Sequence, residues 1–130
     1  MTQTLTAKHE VRTILLVEDE APVRRLLCDS LASKYEVLES RDGVEAVSVF
    51  EKNLFRILAV VTDLEMPRLK GDVLTEWIHS IRPDLPVIII SGKERADDSI
   101  RELLKSTAVR FLGKPFDLYQ LEDLLDQAVA

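Results

Sequence analysis

Hydrophobic and polar positions along the chain fall into two alternating rhythms. Four short apolar runs, Thr13-Ile14-Leu15-Leu16-Val17, Ile57-Leu58-Ala59-Val60-Val61, Val87-Ile88-Ile89-Ile90 and Val109-Arg110-Phe111-Leu112, are rich in β-branched residues and stop at polar or turn residues. Such runs read as strands buried on both faces of a parallel sheet. Tyr35-Glu36-Val37-Leu38-Glu39 is more polar and partly alternating, as an edge strand is. Between the strands, apolar residues recur at helical spacing. Val23, Leu26, Leu27 and Leu31 follow Pro22, and Val44, Val47 and Phe50 follow the Arg41-Asp42-Gly43 turn. Val73, Leu74, Trp77, Ile78 and Ile81 follow Gly71-Asp72, and Ile100, Leu103 and Leu104 lie within 96–105. Leu118, Leu121, Leu124, Leu125 and Ala128 close the chain. Strand and helix in turn, five times over, predict an α/β fold of (βα)5 type, a parallel sheet with helices on both faces.

The residues at which the strands stop carry the chemistry. The first expected strand ends at Glu18-Asp19-Glu20, the third at Thr62-Asp63 ahead of Leu64-Glu65-Met66-Pro67, the fourth at Ser91-Gly92-Lys93, the fifth at Gly113-Lys114-Pro115-Phe116. Parallel α/β sheets bind ligands at the carboxyl ends of their strands. With the first strand central, Glu18, Asp19, Asp63, Ser91 and Lys114 meet at one rim. Three carboxylates in one place raise one another's pKa unless a cation shares the site. A hard divalent ion answers that need, and Mg²⁺ suits a few carboxylates while leaving room for phosphate oxygens. Three acids, one Mg²⁺ and Lys114 sum to a charge of about zero in their standard ionised forms. An aspartate so placed can act as a nucleophile and accept a phosphoryl group, with the metal and the lysine neutralising its oxygens and Ser91 donating a hydrogen bond. Asp63 is the lead candidate for that role. Each residue alone has a plainer reading: a turn cap, a solvated helix start, a strand end, a surface lysine. The conjunction at the ends of four strands is what argues for a site.

Length and charge narrow the setting. The 130 residues suit one domain, and a net charge of −6 argues against a direct nucleic-acid or anionic-membrane surface. Cys28 has no cysteine to pair with inside the chain, which fits a reducing, cytoplasmic setting and a packing role. No stretch of about 18 apolar residues is present and Met1 to Arg12 has no apolar signal-like core. A folded unit over 13–130 behind a polar lead or linker at 1–12 is expected. His9 and His79 fall away from the rim, which disfavours zinc.

The chain resembles the receiver domain of two-component response regulators from Thr13 to Val129. The resemblance rests on Val17-Glu18-Asp19-Glu20, Asp63-x-x-Met66-Pro67 with Gly71, Ser91-Gly92 and Lys114-Pro115-Phe116. It implies a flavodoxin-like three-layer sandwich with strand order 2-1-3-4-5. By the same resemblance Asp63 is the phosphoacceptor, and Mg²⁺ is held by Glu18, Asp19, Asp63 and the backbone carbonyl of Glu65. Ser91 and Lys114 contact the phosphoryl group, and Phe111 is the aromatic switch residue of a surface formed by the fourth helix, fifth strand and fifth helix. The donor it implies is a histidine kinase or histidine phosphotransfer protein, and the chemistry is self-directed rather than that of an enzyme with a turned-over substrate. The Lys114-Pro115 bond is expected to be cis. Thr107 stands in a turn where receivers usually have glycine. Glu65 and Lys93, opposite in charge, are expected to pair across the site mouth and slow the approach of water. Three alternatives share part of this pattern. A haloacid-dehalogenase-like phosphatase wants a second Asp where Glu65 stands, a flavin-mononucleotide binder would find its phosphate repelled by Glu18-Asp19-Glu20, and a receiver-like interaction module would work without phosphorylation.

Overall fold

The structure, a computed structural model, describes residues 11–92 and 98–130. Five strands, β1 (Thr13–Val17), β2 (Glu36–Ser40), β3 (Ile57–Asp63), β4 (Val87–Ser91) and β5 (Val109–Gly113), alternate with five helices, α1 (Ala21–Leu31), α2 (Gly43–Lys52), α3 (Gly71–Ile81), α4 (Asp98–Leu103) and α5 (Leu118–Val129). The strands form one sheet in the order β2-β1-β3-β4-β5, and every pairing is parallel. This is the flavodoxin-like sandwich expected.

Side chains alternate between the two faces of a strand, and each face supports its own core. Leu15, Val17, Val60, Val87, Ile89 and Val109 point to the side covered by α2 and α3, where Ala46, Phe50, Leu74 and Ile78 meet them and Ile100 of α4 joins. Ile14, Leu16, Ala59, Val61, Ile88, Ile90 and Leu112 point to the other side, against Leu27 and Leu31 of α1 and Leu121 and Leu125 of α5. Phe50 and Trp77 tie α2 to α3 with ring centroids 5.5 Å apart in an edge-to-face arrangement.

Several side chains expected in the core lie outside it. Leu26, Val44, Val73 and Ile81 are exposed. The buried stripe of α3 is Gly71, Leu74, Thr75 and Ile78, a spacing that turns Val73 to the flank and leaves Ile81, the last residue of the helix, exposed. On α1 the sheet takes Leu27 and Leu31, one residue round from Leu26. Leu58, expected to be buried, is 37% exposed, because the β1–β3 register steps from Thr13↔Ile57 to Ile14↔Ala59 and leaves Leu58 unpaired in a bulge. β2 runs from Glu36 rather than Tyr35, and Tyr35 packs beneath it as a buried residue whose hydroxyl donates to Asp126 Oδ1 at 2.7 Å.

Two local expectations concern backbone geometry. The Lys114–Pro115 peptide bond is cis. Thr107 sits in the turn before β5 without a left-handed conformation; that turn is closed by the Ala108 N–H donating to Ser106 Oγ at 3.1 Å. No glycine is needed there.

Candidate functional site

Each site residue stands where a buried strand runs out. β1 ends at Val17, and the chain turns at Glu18 and Asp19 into α1, whose first turn carries Pro22, the residue best suited to a helix start. β3 ends on Asp63 itself. The loop behind it returns through Gly71, whose N–H donates to the Leu64 carbonyl at 2.9 Å. β4 ends on Ser91 and β5 on Gly113. Their register partners Ser91 with Gly113, and the Lys114 N–H donates to the Ser91 carbonyl at 2.8 Å.

The carboxylate oxygens of Glu18, Asp19 and Asp63 come within 4.8 Å of one another. Lys114 Nζ lies 3.5 Å from Asp63 Oδ2, near enough for charge attraction and long for a hydrogen bond. Glu18, Asp63 and Ser91 are buried. Burial is the main reason Glu18 is pushed up to about 7; the charge of Asp63 and a hydrogen bond with Asp19 add to it, against the Glu20 N–H and Lys114. Asp63 is raised too, again chiefly by burial, with Lys114 pulling the other way. Two buried acids whose charged forms are disfavoured by burial, with a third carboxylate beside them, are an arrangement suited to a cation with hard oxygen ligands.

Glu18 is fixed on three sides. Its N–H donates to the Ser40 carbonyl at 3.0 Å, its Oε2 accepts from the Glu20 N–H at 3.1 Å, and its carbonyl accepts from Arg24 Nη1 at 2.8 Å. Asp63 is held through its carbonyl, which accepts from the buried Thr62 hydroxyl at 2.9 Å. Arg24 and Thr62 escaped the sequence reading: an arginine on a helix and a threonine in a strand carry no local signal of what they reach.

Glu65 lies two residues past Asp63, its side chain 3.9 Å from Lys70 Nζ. Lys93, its expected partner, lies outside the described residues. Phe111 is half-buried on β5, in register with Ile89, and packs against the α2 and α3 side of the sheet. His79 bonds the Leu85 carbonyl at 2.9 Å through Nε2 and takes no part in the acidic cluster.

Comparison with known proteins bears on the fold and the family. The family described as response regulator receiver domain matches residues 14–126. A sensor kinase CckA of Brucella abortus is 39% identical over 111 residues, which are 84% of this chain and 12% of that protein. Among solved structures, the receiver domain of a hybrid histidine kinase CckA is 34% identical with a TM-score of 0.76, covering 91% of this chain and 99% of that one. A response regulator receiver domain protein from Clostridium thermocellum is 28% identical with a TM-score of 0.83, covering 92% and 94%. The chain thus spans about an eighth of the sensor kinase it matches and nearly the whole of both receiver structures.

Proposed function

The chain belongs to the response regulator receiver domain family, and from that premise we propose that it accepts a phosphoryl group on Asp63 from a phosphohistidine of a histidine kinase or histidine phosphotransfer protein. The P–N bond to the donor imidazole breaks, a P–O bond to an Asp63 carboxylate oxygen forms, and the imidazole leaves with the electron pair. The observation that carries this reading is the convergence of three carboxylates within 4.8 Å, with Lys114 beside Asp63 at the same rim.

Glu18, Asp19, Asp63 and the Glu65 backbone carbonyl are the groups that would hold Mg²⁺. The donor set fits: all are hard oxygens, and the three carboxylates converge within 4.8 Å of one another. The ion supplies charge neutralisation for the incoming phosphoryl oxygens. Lys114 supplies a second positive charge, and the Ser91 hydroxyl supplies a hydrogen-bond donor.

Phosphorylation adds charge and acceptor oxygens at the ends of β3, β4 and β5. Ser91 and Lys114 follow them, Phe111 turns inward, and the surface of α4, β5 and α5 shifts between two populations. The receiver unit occupies 13–130 with a polar lead at 1–12, acts in the cytoplasm, and passes its signal to a protein rather than directly to nucleic acid or membrane. Among the described residues no helix is long and apolar enough to cross a membrane. The domain handles its own aspartate and turns over no separate substrate.

The test is intact-mass spectrometry after incubation with a small-molecule phosphodonor. One phosphoryl adduct that requires Mg²⁺ and disappears in Asp63→Asn supports the proposal. No adduct under any condition, together with partner binding unchanged by Asp63→Asn, would turn the reading into that of a phosphorylation-independent module.

A further inference from the structure

The geometry points to Arg24 as a positioning residue that holds the Glu18-Asp19 turn ready for the cation; this inference rests on the receiver reading of the site. Arg24 sits in the second turn of α1, five residues beyond Asp19, and its side chain is 16% exposed. The guanidinium is forked. Nη1 donates to the Glu18 carbonyl at 2.8 Å, and Nε lies 3.4 Å from Glu39 Oε1 near the end of β2. A lysine could make the first contact but lacks the planar fork for both.

The consequence follows from what else holds Glu18. Its N–H is anchored to Ser40 and its carboxylate to the Glu20 N–H, which leaves the peptide plane between Glu18 and Asp19 as the free hinge of the turn. Arg24 fixes that plane through its carbonyl. Rotating the plane would swing the Asp19 carboxylate relative to those of Glu18 and Asp63, the groups that share the cluster. Glu39 in turn fixes the guanidinium, so the metal-binding turn is tied to β2, an edge strand that contributes no carboxylate to the cluster. Residues that orient ligands in this way typically contribute about 10- to 100-fold in metal affinity.

The experiment is calorimetric titration of the unphosphorylated protein with Mg²⁺, using wild type, Arg24→Met, Arg24→Lys, Glu39→Gln and the core variant Leu31→Val. Arg24→Met keeps the apolar stem and removes both donors. It is expected to weaken Mg²⁺ about tenfold, Arg24→Lys to recover most of that loss, and the phosphoryl adduct at saturating Mg²⁺ to form within about threefold of the wild-type rate. Leu31→Val reports a loosened α1 and is expected to leave Mg²⁺ affinity unchanged. Should Arg24→Met not fold, Glu39→Gln removes one of the two anchors and is expected to weaken Mg²⁺ on the order of threefold. Wild-type affinity in folded Arg24→Met, or an equal loss in Leu31→Val, overturns the inference. Wild-type protein that binds no Mg²⁺ overturns the receiver reading itself.

Discussion

Gly71 lies so close to Asp63 that a β-carbon at position 71 would meet the Asp63 carbonyl oxygen at 2.2 Å and the Leu64 Cα at 3.0 Å. Both obstacles are backbone, and they belong to the residue at the centre of the site and its neighbour. Gly71→Ala therefore has to push the β3 terminus away from α3. Overpacking of this kind costs about 1–3 kcal/mol, and here it also displaces Asp63, the proposed phosphoacceptor. Gly92 offers the contrast at the same rim, since among the described residues a β-carbon there meets only Lys114 Cβ, at 3.9 Å. Urea denaturation is expected to show a lowered midpoint for Gly71→Ala and a change within about 0.5 kcal/mol for Gly92→Ala, with adduct formation slowed only in the first.

The acidic cluster gives the metal-free protein a pH dependence of definite sign. Glu18 is raised from 4.5 to about 7 and Asp63 is raised as well, so the folded state binds protons more tightly than the unfolded one. Stability from these groups is fully present below their unfolded values and is lost as pH rises through about 7 for Glu18. In a chelator-containing buffer, the urea midpoint of the wild type is expected to fall relative to Glu18→Gln between about pH 5 and pH 8. Added Mg²⁺ should reverse the fall, because it binds the deprotonated folded form. Parallel profiles for the two proteins would contradict the raised Glu18.

What the sequence disclosed and what it hid divide along a physical line. Strand ends were legible because a buried β-branched run has to stop where polar groups begin, which located Glu18, Asp19, Asp63, Ser91 and Lys114 to the residue. Helix faces were legible only in part. Val73 and Ile81 are as apolar as Leu74 and Ile78, yet a helix lying on a sheet buries a stripe narrower than its apolar residues, and only packing decides which are left out. The Leu58 bulge depends on register between two strands, which neither strand encodes alone. Arg24 reaches its partners through a long side chain across two elements, and no spacing rule anticipates that.

Arg68 adopts φ 74° in the loop that follows Met66-Pro67, a left-handed conformation that costs a side-chain-bearing residue roughly 1–2 kcal/mol. Its guanidinium lies 3.6 Å from Asp42 Oδ2 with the arginine side chain 60% exposed, a pair worth little by itself. Asp42 keeps its other task, capping α2 by accepting from the Glu45 N–H at 2.8 Å. Arg68→Gly relieves the strain and adds freedom to the unfolded chain, so a net gain of about 0–1 kcal/mol is expected. Arg68→Val, with a branched β-carbon in the same conformation, is expected to lose more than about 1 kcal/mol. Denaturation midpoints of the three proteins check both signs.

Lys114 acts on the acids at the rim in a way that separates metal binding from phosphoryl chemistry. Its ammonium lies 3.5 Å from Asp63 and lowers the pKa of both Asp63 and Glu18. In Lys114→Met the two acids should keep their protons to higher pH. Near pH 6, below the value of about 7 for Glu18, Mg²⁺ has to displace the Glu18 proton, and binding is expected to weaken several-fold, on the order of the added proton competition. Near pH 9, above the value of about 7 for Glu18, proton competition is relieved, one positive neighbour has gone, and binding is expected to match or exceed that of the wild type. The phosphoryl adduct loses a neutralising partner at every pH, so its formation should be slowed by about tenfold or more even where Mg²⁺ binds normally. Titrations at the two pH values, with adduct formation followed at saturating Mg²⁺, distinguish the two effects. A Lys114→Met protein that binds Mg²⁺ less well at both ends of the range would mean that the lysine holds the shape of the site rather than its charge.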